Sequence, residues 1–207
     1  MPGPVLADAD FTKAGFLAAL QKHPPVVHIA SHFVFQPGDA SRSFLLLGDG
    51  TPFTLSEMKE QSQLFAGTEL LALSACRTGA TQADANGREI DGFAELAQRL
   101  GAGAVLASLW PVADESTALL MAEFYRIRMS DPKITKAAAL QMAQLNLLNG
   151  KLRPTAKAGR NRDTIVAAGD AQPAANSGNA PLYVTDPKRP YAHPYYWAPF
   201  VLYGNWR

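Results

Sequence analysis

The sequence predicts an α/β fold, a mostly parallel sheet flanked by helices. Apolar runs recur at Val26 to Ser31, Leu70 to Ala75 and Ala104 to Trp110, each short enough for a buried strand and each ended by polar, Gly or Pro residues. Stretches with helical spacing and capping residues separate them. An order of strand, helix, strand, helix calls for parallel strands joined by right-handed crossovers.

The elements follow in chain order. Asp10 to Gln21 places Phe11, Phe16, Ala19 and Leu20 on one apolar helix face behind an Asp cap, and Pro24-Pro25 ends it. Val26 to Ser31 is the first strand. Phe44 to Leu47 enters a hairpin turn at Gly48-Asp49-Gly50 and returns through Thr51-Pro52-Phe53. Thr54-Leu55-Ser56-Glu57 has the spacing of a capping box and opens a helix through Gln61. After the strand at 70 to 75 comes a polar loop from Thr78 to Glu89, then a helix from about Asp91 to Leu100 that Gly101 stops. Pro111 closes the third strand, and Asp114 or Ser116 begins the helix of Thr117 to Met129. Lys133 to Leu148 is a further helix, rich in Ala, Leu and Gln. From Lys151 to about Arg189 the apolar periodicity gives way to Pro, Ala, Gly and Asn, which reads as one long loop. Its Lys151, Arg153, Lys157, Arg160 and Arg162 are basic positions in a stretch where proteolytic nicking is expected. His193 to Gly204 ends the chain as an aromatic strand, with Pro199 placing it at an edge or beside a bulge.

Composition bounds the function. The chain has 207 residues, 47% hydrophobic and 18% charged, enough for one domain over residues 1–207 with its core at about 26–204. Nineteen basic against eighteen acidic residues give a net charge of +1, too balanced to point to nucleic acid or an anionic membrane. No apolar run approaches the roughly 18 residues that cross a bilayer, and Met1-Pro2-Gly3-Pro4 lacks a basic signal-peptide start. A cytoplasmic protein is expected. The single cysteine excludes an intrachain disulfide and a multi-cysteine metal site.

That cysteine, Cys76, ends the second apolar run, at the carboxyl end of a strand where open α/β sheets bind ligands. A lone cysteine is by default buried and inert. Here, however, the first strand is followed at once by His32, and two such strands side by side would bring thiol and imidazole together. A thiol of pKa near 8.5 is only a few per cent ionised at pH 7, and an adjacent imidazole raises that fraction.

Rival chemistries fail on particular residues. A cysteine phosphatase needs Arg six positions after the thiol, and Gln82 stands there. His28 and His32 have the spacing of a zinc-protease helix, but Ile29 replaces its Glu and the segment reads as a strand, so no metal is expected. Gly101-Ala102-Gly103-Ala104 leads into a strand without the third Gly of a dinucleotide fingerprint and is a loop. No cofactor is implied. His28 reads as a hydrogen-bonded core histidine, with support of the site as the alternative, and His193 as structural. Trp110 and Trp197 read as core or site-wall aromatics.

The motifs His28-Ile29-Ala30-Ser31-His32, Leu73-Ser74-Ala75-Cys76-Arg77-Thr78-Gly79, Ser108-Leu109-Trp110-Pro111-Val112-Ala113-Asp114-Glu115-Ser116-Thr117, Phe124-Tyr125 and His193-Pro194-Tyr195-Tyr196-Trp197-Ala198-Pro199-Phe200 resemble, in that order, the CHAT domain. That is the caspase-like cysteine peptidase domain often joined to tetratricopeptide repeats and related to separase. The resemblance implies a caspase-like α/β fold with His32 as catalytic histidine and Cys76 as nucleophile, acting on a protein substrate through an acyl-enzyme. It also implies a tetratricopeptide-repeat region or partner.

Ser31, Phe33, Ala75, Trp110 and Asp114 are the expected substrate-binding residues, with backbone N–H groups near Cys76 and after His32 holding the oxyanion. Trp-Pro-Val-Ala-Asp is similar to the separase segment whose aspartate receives the arginine before the scissile bond. Asp114 therefore has two readings, a specificity carboxylate or a helix cap. Phe33 stands where peptidases of this clan usually have Gly, and its side chain is expected to narrow the site. Caspase-like folds have two further strands before the histidine-bearing one, and only about 25 residues precede Val26. A sheet lacking N-terminal strands, with an exposed edge, is expected. A catalytically silent caspase-like interaction module is the alternative function.

Overall fold

A computed structural model describes residues 3–34, 36, 38–74, 88–110, 112–153 and 186–207, with the backbone alone for 88–91. The chain forms two compact units, Met1–Pro111 with Phe200–Trp206, and Val112–Pro199 with Arg207.

In the first unit a 3-10 turn at Asp8–Asp10 leads to helix α1, Lys13–Leu20. Its cap is Thr12, whose hydroxyl accepts from Gly15 N at 3.1 Å, and not Asp10, because the 3-10 turn already takes up Asp10. Then come β1 (Val26–Ile29), β2 (Phe33–Val34), β3 (Phe44–Leu46), β4 (Pro52–Thr54) and helix α2 (Leu55–Glu60). β5 (Leu70–Leu73), helix α3 (Arg88–Arg99) and β6 (Ala104–Ser108) follow, and β7 (Phe200–Gly204) returns from the chain end.

The main sheet has the order β1-β5-β6-β7. β1, β5 and β6 are parallel and β7 is antiparallel to β6. This is the mostly parallel α/β sheet the sequence predicts. β5 and β6 are buried at every position, as expected of continuous apolar strands covered on both faces. Val27, Ile29, Leu71, Leu73, Val105 and Ala107 share one face and build the core there with Phe16 and Leu20 of α1 and Phe93, Ala94 and Ala97 of α3. Gly101 stops the chain after α3 at φ +105, and a Cβ on it would meet Ala66 N at 2.9 Å. Among the described residues β1 has a strand partner on one side only, and Val26 on it is 39% exposed.

β2, β3 and β4 form a small antiparallel sheet. The hairpin turn is as expected: Asp49 accepts from Thr51 N at 2.9 Å, and Gly50 takes φ +83. Gly48 is required by a close approach, since a Cβ there would lie 1.7 Å from Asp8 O. The capping box of α2 is complete, with Thr54 Oγ1 accepting from Glu57 N at 3.1 Å and Glu57 Oε2 from Thr54 N at 2.8 Å.

The second unit contains α4 (Asp114–Ser130) and α5 (Lys136–Leu148), packed against each other. Glu123, 8% exposed, accepts from Arg126 Nε and Nη2 and from Asn146 Nδ2, each at 2.7 Å, and so links the helices through a satisfied carboxylate. The tyrosine hydroxyl of Tyr191 donates to Glu115, and Gln144 Nε2 to the carbonyl of Trp197 at 3.0 Å. His193 caps the 3-10 turn Pro194–Tyr196 by accepting from Tyr195 N at 3.1 Å, a structural part. Of the long loop read at 151–189, residues 154–185 lie outside the described residues. No described helix is long and apolar enough to cross a membrane.

Candidate active site

β1 and β5 are neighbours and parallel, so the chain leaves both at the same end of the sheet, where open α/β folds bind ligands. Their register pairs His28 with Ala72 and Ile29 with Leu73, and Ser74 N extends the ladder by donating to Ile29 O at 3.1 Å. His32 stands just beyond β1, exposed, and its carbonyl accepts from Leu46 N of β3 at 2.8 Å. Ala75 and Cys76 lie outside the described residues.

The remaining substrate-binding expectations separate. Ser31 is half-buried and its hydroxyl donates to Leu46 O at 2.6 Å, so the side chain ties the turn after β1 to β3. Phe33 is 3% exposed, with its ring edge-on to Phe93 at 4.7 Å between centroids. The side chain expected to narrow the site is instead part of the core, because β2 pairs with β3 and carries the ring inward. The same pairing orients its backbone. Leu46 N bonded to His32 O makes 32 and 46 the hydrogen-bonded pair of that ladder, so Phe33 and Leu45 are a non-bonded pair and the Phe33 N–H points away from β3.

Trp110 is half-buried two residues past the end of β6, the neighbour of β5. Asp114 belongs to the second unit, where it is exposed and is the first residue of α4. The cap of that helix is Ala113, without a side-chain hydrogen bond, so Asp114 is not the cap its alternative reading made it. Its charge still suits the positive N-terminal end of the helix.

Sequence reasoning missed one feature. His28 is exposed rather than in the core, and its Nε2 meets Ser74 Oγ at 2.8 Å. Crowding of the ring against the sheet nevertheless lowers its pKa below the usual imidazole value, through burial. The available signal was one polar residue inside each of two otherwise apolar runs, His28 among Val26 to Ala30 and Ser74 among Leu70 to Ala75. An open depression beside the β2–β3 connection, lined by Gln36, Asp39, Ser43, Lys59 and Leu96, includes neither His32 nor Trp110.

The fold is that of an α/β protein with a mostly parallel sheet, and His32 stands just past the carboxyl end of β1, the end at which open α/β sheets bind ligands. The family model of the CHAT domain matches residues 2–205, nearly the whole chain, and the protein belongs to that caspase-like, peptidase-related family. No curated protein matches it.

Proposed function

We propose that the protein is a cysteine endopeptidase with Cys76 as nucleophile and His32 as acid and base. The observation that supports this best is the β1–β5 register. It makes β1 and β5 parallel neighbours that end at the same rung, Ile29 with Leu73, and in the sequence His32 follows the first and Cys76 the second by three residues each. The thiolate of Cys76 adds to the scissile carbonyl carbon, and the resulting oxyanion is met by backbone donors, for which the outward N–H of Phe33 is one candidate. Collapse breaks the C–N bond as imidazolium His32 protonates the leaving amine. Neutral His32 then takes a proton from water, the hydroxide displaces the thiolate from the thioester, and the acid product leaves.

Trp110 is a wall of this cleft in the same reading, and Asp114 selects a cationic residue before the cut through charge-assisted hydrogen bonds. Ser31 and Ala75 contribute to the substrate side through their backbone. The substrate is a cytoplasmic protein, delivered by a tetratricopeptide-repeat region or partner.

Fluorescent iodoacetamide tests the core of the reading. Cys76 of the folded parent should alkylate well below pH 8, and His32→Ala should slow it. Equal rates in both proteins, or labelling only after unfolding, would support the silent interaction module.

A further inference from the structure

We propose that His28 and Ser74 are positioning residues, a side-chain clamp that sets the spacing between the chain segments leaving β1 and β5 and thereby holds His32 within reach of Cys76. The inference rests on the Cys–His reading above. It stands on the 2.8 Å contact of His28 Nε2 with Ser74 Oγ. Both residues follow core-facing neighbours, Val27 and Leu73, and so share the opposite face of the sheet. One rung away, Ser74 N donates to Ile29 O, so the backbone and side chain of the same serine both grip the histidine strand.

Past that rung the described chain diverges, because Ser31 and His32 are bound instead to Leu46 of β3. The clamp is thus the last described tie between the two segments, two residues before Cys76 in the sequence. The lowered pKa of His28 favours a neutral ring at pH 7, able to share one proton with the hydroxyl in either direction.

Cys76 is the only cysteine, so alkylation of the full chain by iodoacetamide reports one thiol. His28→Ala and Ser74→Ala should each slow the reaction at pH 7 by about tenfold, a modest share of what misplacement by an ångström can cost. Each should also move the midpoint of the pH–rate profile up toward the free-thiol value of about 8.5. The double variant should be no slower than the worse single one, as for two halves of one link. Ser74→Thr, which keeps a hydroxyl, should recover most of the loss. If His28→Ala does not give a cooperative unfolding transition, His28→Gln, with a similar reach, carries the same comparison.

Single-variant rates within about twofold of the parent overturn the clamp when His32→Ala is slow, and leave the Cys–His reading standing. A lowered melting temperature with an unmoved pH midpoint also overturns it, as does additive slowing in the double variant. An unchanged rate in His32→Ala overturns the Cys–His reading, and the clamp with it.

Discussion

β1 and β5 are adjacent, parallel and each four residues long, yet they live in different surroundings. β5 is buried at every position, whereas β1 alternates exposed and buried, with Val26 and His28 outward and Val27 and Ile29 inward. The consequence is a division of labour within one rung of the sheet. β5 supplies apolar area that leaves water, and β1 can hold an imidazole in mid-strand because that face is open. A polar residue at Ala72, opposite His28, would be fully desolvated and costly.

Three measurements would break or sharpen that contrast, beginning with the largest effect. Leu71→Ala removes a side chain with no exposure from the core and should cost about 2–5 kcal/mol in denaturant unfolding. Val26→Ala on the neighbouring strand, at 39% exposure, should cost no more than about 0.5 kcal/mol. Similar losses at both sites would mean that β1 is covered in solution.

Next in size is the α2 cap, which lies away from both strands. Thr54→Ala should cost about 1 kcal/mol. Glu57 there has its pKa lowered to about 2, first by the hydrogen bond from Lys13 and then by those from Thr54. A depressed carboxylate pKa contributes stability that is present above the unfolded value and lost as pH falls through the folded one. The contribution should therefore fade between about pH 4.5 and pH 2, discounted because the Glu57 side chain is 37% exposed. Glu57→Gln should flatten that part of the acid limb, and an unchanged limb would assign the acid sensitivity elsewhere.

Specificity should give the smallest effect on stability, since Asp114 is exposed. A peptide library varied before the cleavage point, run on parent and Asp114→Ala, should show a preference for Arg or Lys that disappears in the variant. A preference that survives the substitution, or one for apolar residues, would leave Asp114 as a carboxylate that merely suits its helix end.

Much of this was legible because it is local. The strands at 26, 70 and 104 announce themselves by apolar runs, and the α2 capping box by its four-residue spacing. What escaped depends on tertiary partners. β2 has only Phe33 and Val34, too short for any periodicity, and exists because β3 is there to pair with it. The inward turn of the Phe33 ring follows from that pairing, so the side chain could not be placed from the sequence. The apolar neighbours of His28 read as core, and the residue is exposed on a strand that, among the described residues, lies at the sheet edge. Thr12 and Asp10 are both good caps, and the choice was made by the turn at Asp8–Asp10.

Gly48 carries a consequence for how damage at one end of the chain reaches the histidine. Asp8 O sits where any β-carbon of residue 48 would be, and Gly48 N donates to Phe11 O at 2.8 Å. The segment before α1 thus braces the hairpin whose Leu46 holds the backbone of His32 and the hydroxyl of Ser31. A larger residue at 48 would push the brace aside, and trimming the chain before Lys13 would remove it. In either case the support of the His32 backbone would slacken while the sheet core stayed intact, so the first dozen residues reach the histidine through this one turn.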